Sequence, residues 1–146
     1  MHPLLTFLVW LTLVAACALP PPAMLARSFE RQEWIGIVAA ALCWVVVMFR
    51  IDLRRQRQSP GAARSLRYAA VIYAVVQGLA GVVLPREAVL VAYTPAVVVA
   101  SRVLIVPFDA EDLAAAFILT LFGGAQVFLS VLLIARGLSR LGARRK

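Results

Sequence analysis

Apolar residues along the chain gather into five long stretches that are separated by short polar segments. The stretches cover residues 3–19, 34–50, 68–84, 88–106 and 113–135. A helix needs about 20 apolar residues to cross the hydrocarbon core of a bilayer, within a working range of about 17–25. Every stretch is close to that range. Each is therefore a candidate membrane-spanning helix, and length alone does not decide how many of them cross.

Positive charge is concentrated in two of the polar segments. Residues 50–67 hold six arginines against Asp52 alone, and residues 136–146 hold four arginines and Lys146 without an acid. Arginine and lysine accumulate on the cytoplasmic side of membrane proteins. We therefore expect a basic cytoplasmic loop at 50–67 and a basic cytoplasmic tail at 136–146. An even number of crossings must then lie between them.

Three apolar stretches share that interval, so one of them should not cross fully. The best candidate is 88–106, which is rich in β-branched residues, contains Pro95 and Arg102, and is followed by an acidic run at 109–112. A re-entrant or interfacial helix fits these features. We therefore predict an all-α, four-helix transmembrane bundle in a single domain, 1–146. Five spans are the alternative, which would leave the basic tail outside.

The first apolar stretch allows two other interpretations. Ala16-Cys17-Ala18 resembles a signal-peptide cleavage site, and Val14-Ala15-Ala16-Cys17 resembles a bacterial lipobox. A secretory signal begins with a positively charged region, whereas Met1-His2-Pro3 contains no lysine or arginine. We expect 3–19 to be a retained span, with cleavage of the first residues as the alternative.

Composition supports a membrane protein over a soluble one. Apolar residues make up 63% of the 146 residues and charged residues 15%, whereas soluble domains are about 45–50% apolar. The net charge of +8 comes from arginines at the ends of apolar stretches, so we expect no binding of nucleic acid. The pattern predicts a multi-pass protein of the bacterial inner membrane. Cys17 and Cys43 are expected to be free thiols at different depths.

A few polar residues interrupt the third and fifth stretches. Tyr73, Gln77 and Gly81 share one helical face, and Gln126 and Ser130 share another. The simpler interpretation is helix packing, in which small residues allow close approach and glutamine finds a partner on a neighbouring helix. The alternative is a polar lining for a solute path.

Arg102 is the one charged residue expected to enter the membrane, near its outer face. Such a residue can extend its side chain to the headgroups and act as an anchor. It is also a candidate contact for an anion or a lipid phosphate. A lipid-modifying enzyme that uses Arg102 and Asp109 is a further hypothesis, weaker than the two given below.

The types of residue that are missing limit the chemistry. No Asp, Glu or His lies in the middle of an apolar stretch, and His2 is the only histidine. The sequence contains none of the common catalytic or phosphate-binding motifs. We therefore expect no enzyme activity, no metal site and no cofactor.

Two functions fit this pattern. The leading hypothesis is a non-catalytic accessory, assembly or immunity-type subunit that acts through helix–helix contacts, as a homo- or hetero-oligomer. The alternative is a small homo-oligomeric transporter or channel whose path is lined by Tyr73, Gln77, Gln126 and Ser130. In both, the lipid bilayer is the main partner, and anionic lipids are expected at residues 50–67 and at the tail.

Overall fold

All the secondary structure in the described part of the chain is helical. A computed structural model describes residues 3–18, 31–83, 95 and 113–143. They form four α-helices and no strand, which confirms the predicted all-α class. The helices are α1 (Pro3–Ala18), α2 (Arg31–Gln58), α3 (Pro60–Val83) and α4 (Leu113–Ala143).

Two of the four helices are long and apolar enough to cross a membrane. These are Glu33–Gln58 within α2 and Ala116–Ala143 within α4, while Pro3–Cys17 of α1 is apolar but shorter. The criteria are length and composition, and within the described residues two helices meet both of them. Four crossing helices therefore stay a prediction.

The basic segment 50–67 consists of two helix ends and not of an extended loop. α2 continues to Gln58 and α3 starts at Pro60, so that only Ser59 separates them. The Ser59 N–H donates to the carbonyl of Arg55 at 2.8 Å, and the N–H of Ala62 donates to the Ser59 carbonyl at 3.1 Å. Proline is well suited to the first helical position, because the first N–H groups of a helix lack partners within it. The result is a tight helical hairpin.

The C-terminal basic segment also extends a helix. α4 runs to Ala143, eight residues beyond the end of the predicted span at Ala135. Arginine and leucine are good helix formers, so the helix continues after the apolar stretch ends.

The direction of α4 follows from which halves of the helices are buried together. The main core cluster includes Leu66 and Ala70 from the first half of α3, and Ala135 from the second half of α4. Ile37 and Ala40, near the start of α2, are buried as well but lie outside that cluster. The second half of α4 therefore packs beside the hairpin turn. α4 runs parallel to α2 and antiparallel to α3.

α1 docks on the half of the hairpin that is next to Ser59. One stripe of its residues is fully buried, at spacings of four, four and three: Thr6, Trp10, Val14 and Cys17. Phe7 makes an edge-to-face contact with Phe49 of α2, with ring centroids 5.7 Å apart. The opposite face of α1 is apolar and exposed, with leucines at positions 4, 5, 8 and 11.

Several predicted features lie outside the described residues. They include Arg102, Asp109 and most of the segment 88–106, so its re-entrant or interfacial character stays a prediction. Pro95 is the one residue of that segment that is described, and it is helical and exposed.

Candidate functional site at the base of the helical hairpin

The polar residues predicted for α3 lie in its second half, away from the hairpin turn. Tyr73 is half-buried and packs against the core cluster, and Gln77 is half-buried one turn further along. Gly81 belongs to the same helix. Each of the three is therefore on α3 at helical spacing, as the sequence pattern requires.

The polar residues predicted for α4 are linked to each other within that helix. The Ser130 hydroxyl donates to the backbone carbonyl of Gln126 at 2.9 Å. The carboxamide oxygen of Gln126 is buried. α3 and α4 pack against one another, so the two predicted sets lie on neighbouring helices. Whether they line a continuous path stays a prediction.

A polar cluster that the sequence analysis did not predict lies at the base of the hairpin, on three helices. Its centre is the carboxylate of Asp52 on α2, which is fully buried. Its Oδ2 atom accepts hydrogen bonds from Nε1 of Trp10 at 2.7 Å and from Nε of Arg67 at 2.8 Å. Its Oδ1 atom accepts from Nη2 of Arg67 at 3.2 Å and from Nε2 of Gln56 at 3.4 Å. We call these four residues the Asp52 cluster.

The geometry of the cluster suits a buried charge. Arg67 binds both carboxylate oxygens through two N–H groups, the bidentate arrangement that makes arginine–carboxylate pairs strong. The Arg67 side chain is 22% exposed, so its outer edge still reaches the surface while the carboxylate is fully enclosed. A buried ion needs such partners, because removing one of them leaves an uncompensated charge.

The tight turn explains why these residues meet. Asp52 lies seven residues before Ser59 and Arg67 lies eight residues after it, so an antiparallel hairpin brings them to the same level. Asp52 is also on the buried face of α2, at i+4 from Met48 and i+7 from Val45. Trp10 then reaches the carboxylate from α1, whose buried stripe is placed against this half of the hairpin.

This cluster corrects one conclusion of the sequence analysis. From the sequence, Asp52 is the one acid of a basic cytoplasmic loop and lies outside the apolar stretches. The structure buries it between helices. Two sequence signals pointed to this: Asp52 and Arg67 are nearly symmetric about Ser59-Pro60, and Trp10 stands inside an apolar stretch where its N–H needs an acceptor.

A second indole joins α2 to α4, about two turns from the Asp52 cluster. Nε1 of Trp44 donates to the backbone carbonyl of Leu121 at 3.1 Å. The Trp44 ring also packs on Phe128, with centroids 5.0 Å apart. Gly124 lies directly beneath the indole, and a Cβ atom at this position would overlap the ring. We call this contact the Trp44 seat.

The two cysteines are free, as predicted. Cys17 is buried, and its Sγ lies 3.6 Å from the carbonyl oxygen of Ala70, which joins α1 to α3. Cys43 is exposed on α2. Among the residues that the structure describes, no group of three His, Cys, Asp or Glu side chains is placed to hold a metal ion.

Comparison with protein families, with curated proteins and with solved structures finds no match to this chain. Its function must therefore be inferred from its own residues.

Proposed function

We propose that this chain is a multi-pass protein of the bacterial inner membrane and acts through helix–helix contacts, as an accessory, assembly or immunity-type subunit. One observation carries the proposal. The polar side chains between the helices, in the Asp52 cluster and the Trp44 seat, bond to other parts of the same bundle. The outer faces of all four helices are instead rich in exposed leucine, isoleucine and valine. Such a bundle presents apolar helix faces to lipid or to a partner helix.

A change from apolar to basic residues on the outer surface supports placement in a membrane. On three helices a large exposed apolar or aromatic residue is followed, one turn closer to the basic end, by an exposed arginine. The pairs are Val47 and Arg50 on α2, Tyr68 and Arg64 on α3, and Leu133 and Arg136 on α4. Tyrosine at such a boundary is typical of membrane–water interfaces.

The helix directions support four spans over five. α3 and α4 run in opposite directions, so Val83 and Leu113 belong to the same end of the bundle. Both residues would then face the same side of the membrane. The ends of α2 and α4 that carry the arginines lie together at the other end, and we assign that end to the cytoplasm by the positive-inside rule.

Anionic lipid is the partner that best fits this basic end. Six of its arginines are exposed: Arg50, Arg54, Arg57, Arg64, Arg136 and Arg140. An arginine beside an anionic leaflet contributes about 1 kcal/mol to membrane attraction. Together they would hold this end against the cytoplasmic leaflet.

Reporter fusions along the full chain test the arrangement. Reporters placed after residues 60 and 146 should be cytoplasmic, and reporters placed after residues 86 and 110 should be outside. A reporter at residue 146 found outside would overturn the four-span proposal.

A small homo-oligomeric transporter or channel is the second candidate, and the half-buried Tyr73, Gln77 and Gln126 on two packed helices favour it. Replacing Gln77 and Gln126 with leucine separates the two functions. Loss of the oligomer, measured by native mass spectrometry in lipid nanodiscs, supports the helix-contact proposal. An unchanged oligomer with lost flux of small ions or solutes in proteoliposomes supports transport and contradicts it.

A further inference from the structure

One oxygen atom of Asp52 receives hydrogen bonds from two different helices. Oδ2 accepts from Trp10 of α1 at 2.7 Å and from Arg67 of α3 at 2.8 Å. We propose that Asp52 couples the docking of α1 to the closure of the α2–α3 hairpin. In this device α1 binds tightly only to a hairpin in which the Asp52–Arg67 ion pair is formed. The inference depends on the contacts between helices and goes beyond the proposed function.

The physical basis is the charge on the shared carboxylate. Asp52 is fully buried, and its ionised form is compensated by the bidentate guanidinium of Arg67. A hydrogen bond to an ionised acceptor is roughly twice as strong as one to a neutral acceptor. Arg67 also holds both carboxylate oxygens in place. Without it nothing on α3 fixes the oxygen that faces Trp10, and the hydrogen bond between Trp10 and Asp52 would weaken.

Separation of α1 from the hairpin affects the two partners differently. If α1 leaves, Asp52 keeps both bonds to Arg67 and its bond to Gln56. The Trp10 N–H, in contrast, loses its hydrogen bond to the carboxylate and moves into apolar surroundings. The hairpin can therefore close without α1, whereas α1 docks well only on the closed hairpin. Because coupling is reciprocal, docking of α1 also favours closure by the same factor.

A native cysteine offers a direct probe of α1 docking. Cys17 Sγ lies 3.6 Å from the Ala70 carbonyl oxygen, and both residues belong to the buried core cluster. A cysteine introduced at position 70 therefore lies beside Cys17 when α1 is docked and can be cross-linked to it. The full chain carries Cys43→Ser and Ala70→Cys, and the rate of oxidative cross-linking is measured in membranes. Val75→Cys, which is exposed on the same helix, replaces Ala70→Cys as the control and should not cross-link.

The test is a double-mutant cycle in this background. Trp10→Phe should lower the cross-linking rate about tenfold, the effect of losing a hydrogen bond to a charged group. Arg67→Gln should lower it by a similar factor. In the Arg67→Gln chain, adding Trp10→Phe should lower the cross-linking rate by less than about threefold, because the guanidinium no longer holds the acceptor oxygen opposite the indole. Arg67→Lys keeps the charge and should preserve most of the Trp10 effect.

The proposal is wrong if Trp10→Phe lowers the cross-linking rate by the same factor with and without Arg67. It is also wrong if Arg67→Gln alone leaves the cross-linking rate unchanged. If Arg67→Gln does not accumulate, Asp52→Asn combined with Arg67→Gln removes both charges and leaves no buried ion alone. There Trp10→Phe should again lower the cross-linking rate by less than about threefold, because it removes only a hydrogen bond between neutral groups. A tenfold effect in that chain contradicts the coupling.

Discussion

Two indoles hold this bundle together, and they do so in different ways. Trp10 donates to the buried carboxylate of Asp52, whereas Trp44 donates to a backbone carbonyl of α4. The first contact depends on charge, since its acceptor is a buried carboxylate paired with the guanidinium of Arg67. The second depends on shape, since the ring needs the space that Gly124 leaves open. Each contact should therefore fail under a different kind of substitution.

The largest effect is expected from removing the charge at the Asp52 cluster. Arg67→Leu leaves a buried carboxylate without its counter-ion, which typically costs about 3–5 kcal/mol of stability. The free energy of unfolding in detergent micelles, measured by chemical denaturation, checks this. Arg64→Leu, an exposed arginine one turn earlier on α3, is the matched control and should leave the stability nearly unchanged. Equal losses in both variants would mean that the ion pair has no special role.

A steric change should be the strongest way to break the Trp44 seat. Gly124→Ala adds a Cβ that overlaps the indole, so Trp44 must move and lose its hydrogen bond. Overpacking of this kind costs about 1–3 kcal/mol. At Gly137, on the same helix, a Cβ would meet nothing within 4 Å, so Gly137→Ala should be neutral or slightly stabilising. The same unfolding measurement applies, and a loss for Gly137→Ala as large as for Gly124→Ala would contradict the steric explanation.

Substituting the indoles themselves sharpens the comparison. Trp10→Phe removes a hydrogen bond to an anion, worth about 1.5–3 kcal/mol. Trp44→Phe removes one to a neutral carbonyl, and interhelical hydrogen bonds in membranes average about 0.6 kcal/mol. Both substitutions keep an aromatic ring, so the difference between the two unfolding free energies reports the acceptors. If Trp44→Phe lost more unfolding free energy than Trp10→Phe, charge would not be what strengthens the Trp10 contact.

Sequence reasoning succeeded where the pattern along the chain is sufficient and failed where contacts between helices decide. The apolar stretches of about 20 residues correctly predicted the helices that contain Trp44, Tyr73 and Gln126. An apolar stretch of this length favours a helix because a helix satisfies its own backbone hydrogen bonds. The helical continuation through 50–58 and 60–67 was missed, since arginine-rich composition indicates a surface segment but not its conformation. The burial of Asp52 was missed for the same reason: it depends on a turn of one residue and on a tryptophan 42 positions away.

The contacts of α4 show the same limit on a smaller scale. Gly124 allows close helix approach, because only a residue without a side chain admits the ring of Trp44. The sequence could not select Gly124 over Gly123, or name Trp44 as the ring. That choice depends on the rotation of α4 against α2, which the spacing of residues within either helix does not fix.

The smallest effect is expected at Ser130, which represents a third kind of polar contact. Its hydroxyl bonds to the Gln126 carbonyl within α4 at 2.9 Å, and Ser139 bonds to the Ala135 carbonyl in the same way at 2.9 Å. Such bonds add no link between helices, so Ser130→Ala and Ser139→Ala should each change the unfolding free energy by less than about 0.5 kcal/mol. Ser130 is half-buried and is predicted for a solute path, whereas Ser139 is exposed in the basic part of α4. A Ser130→Ala chain that keeps its stability but loses flux, beside an unaffected Ser139→Ala chain, would therefore favour the transporter, because stability could not explain the loss.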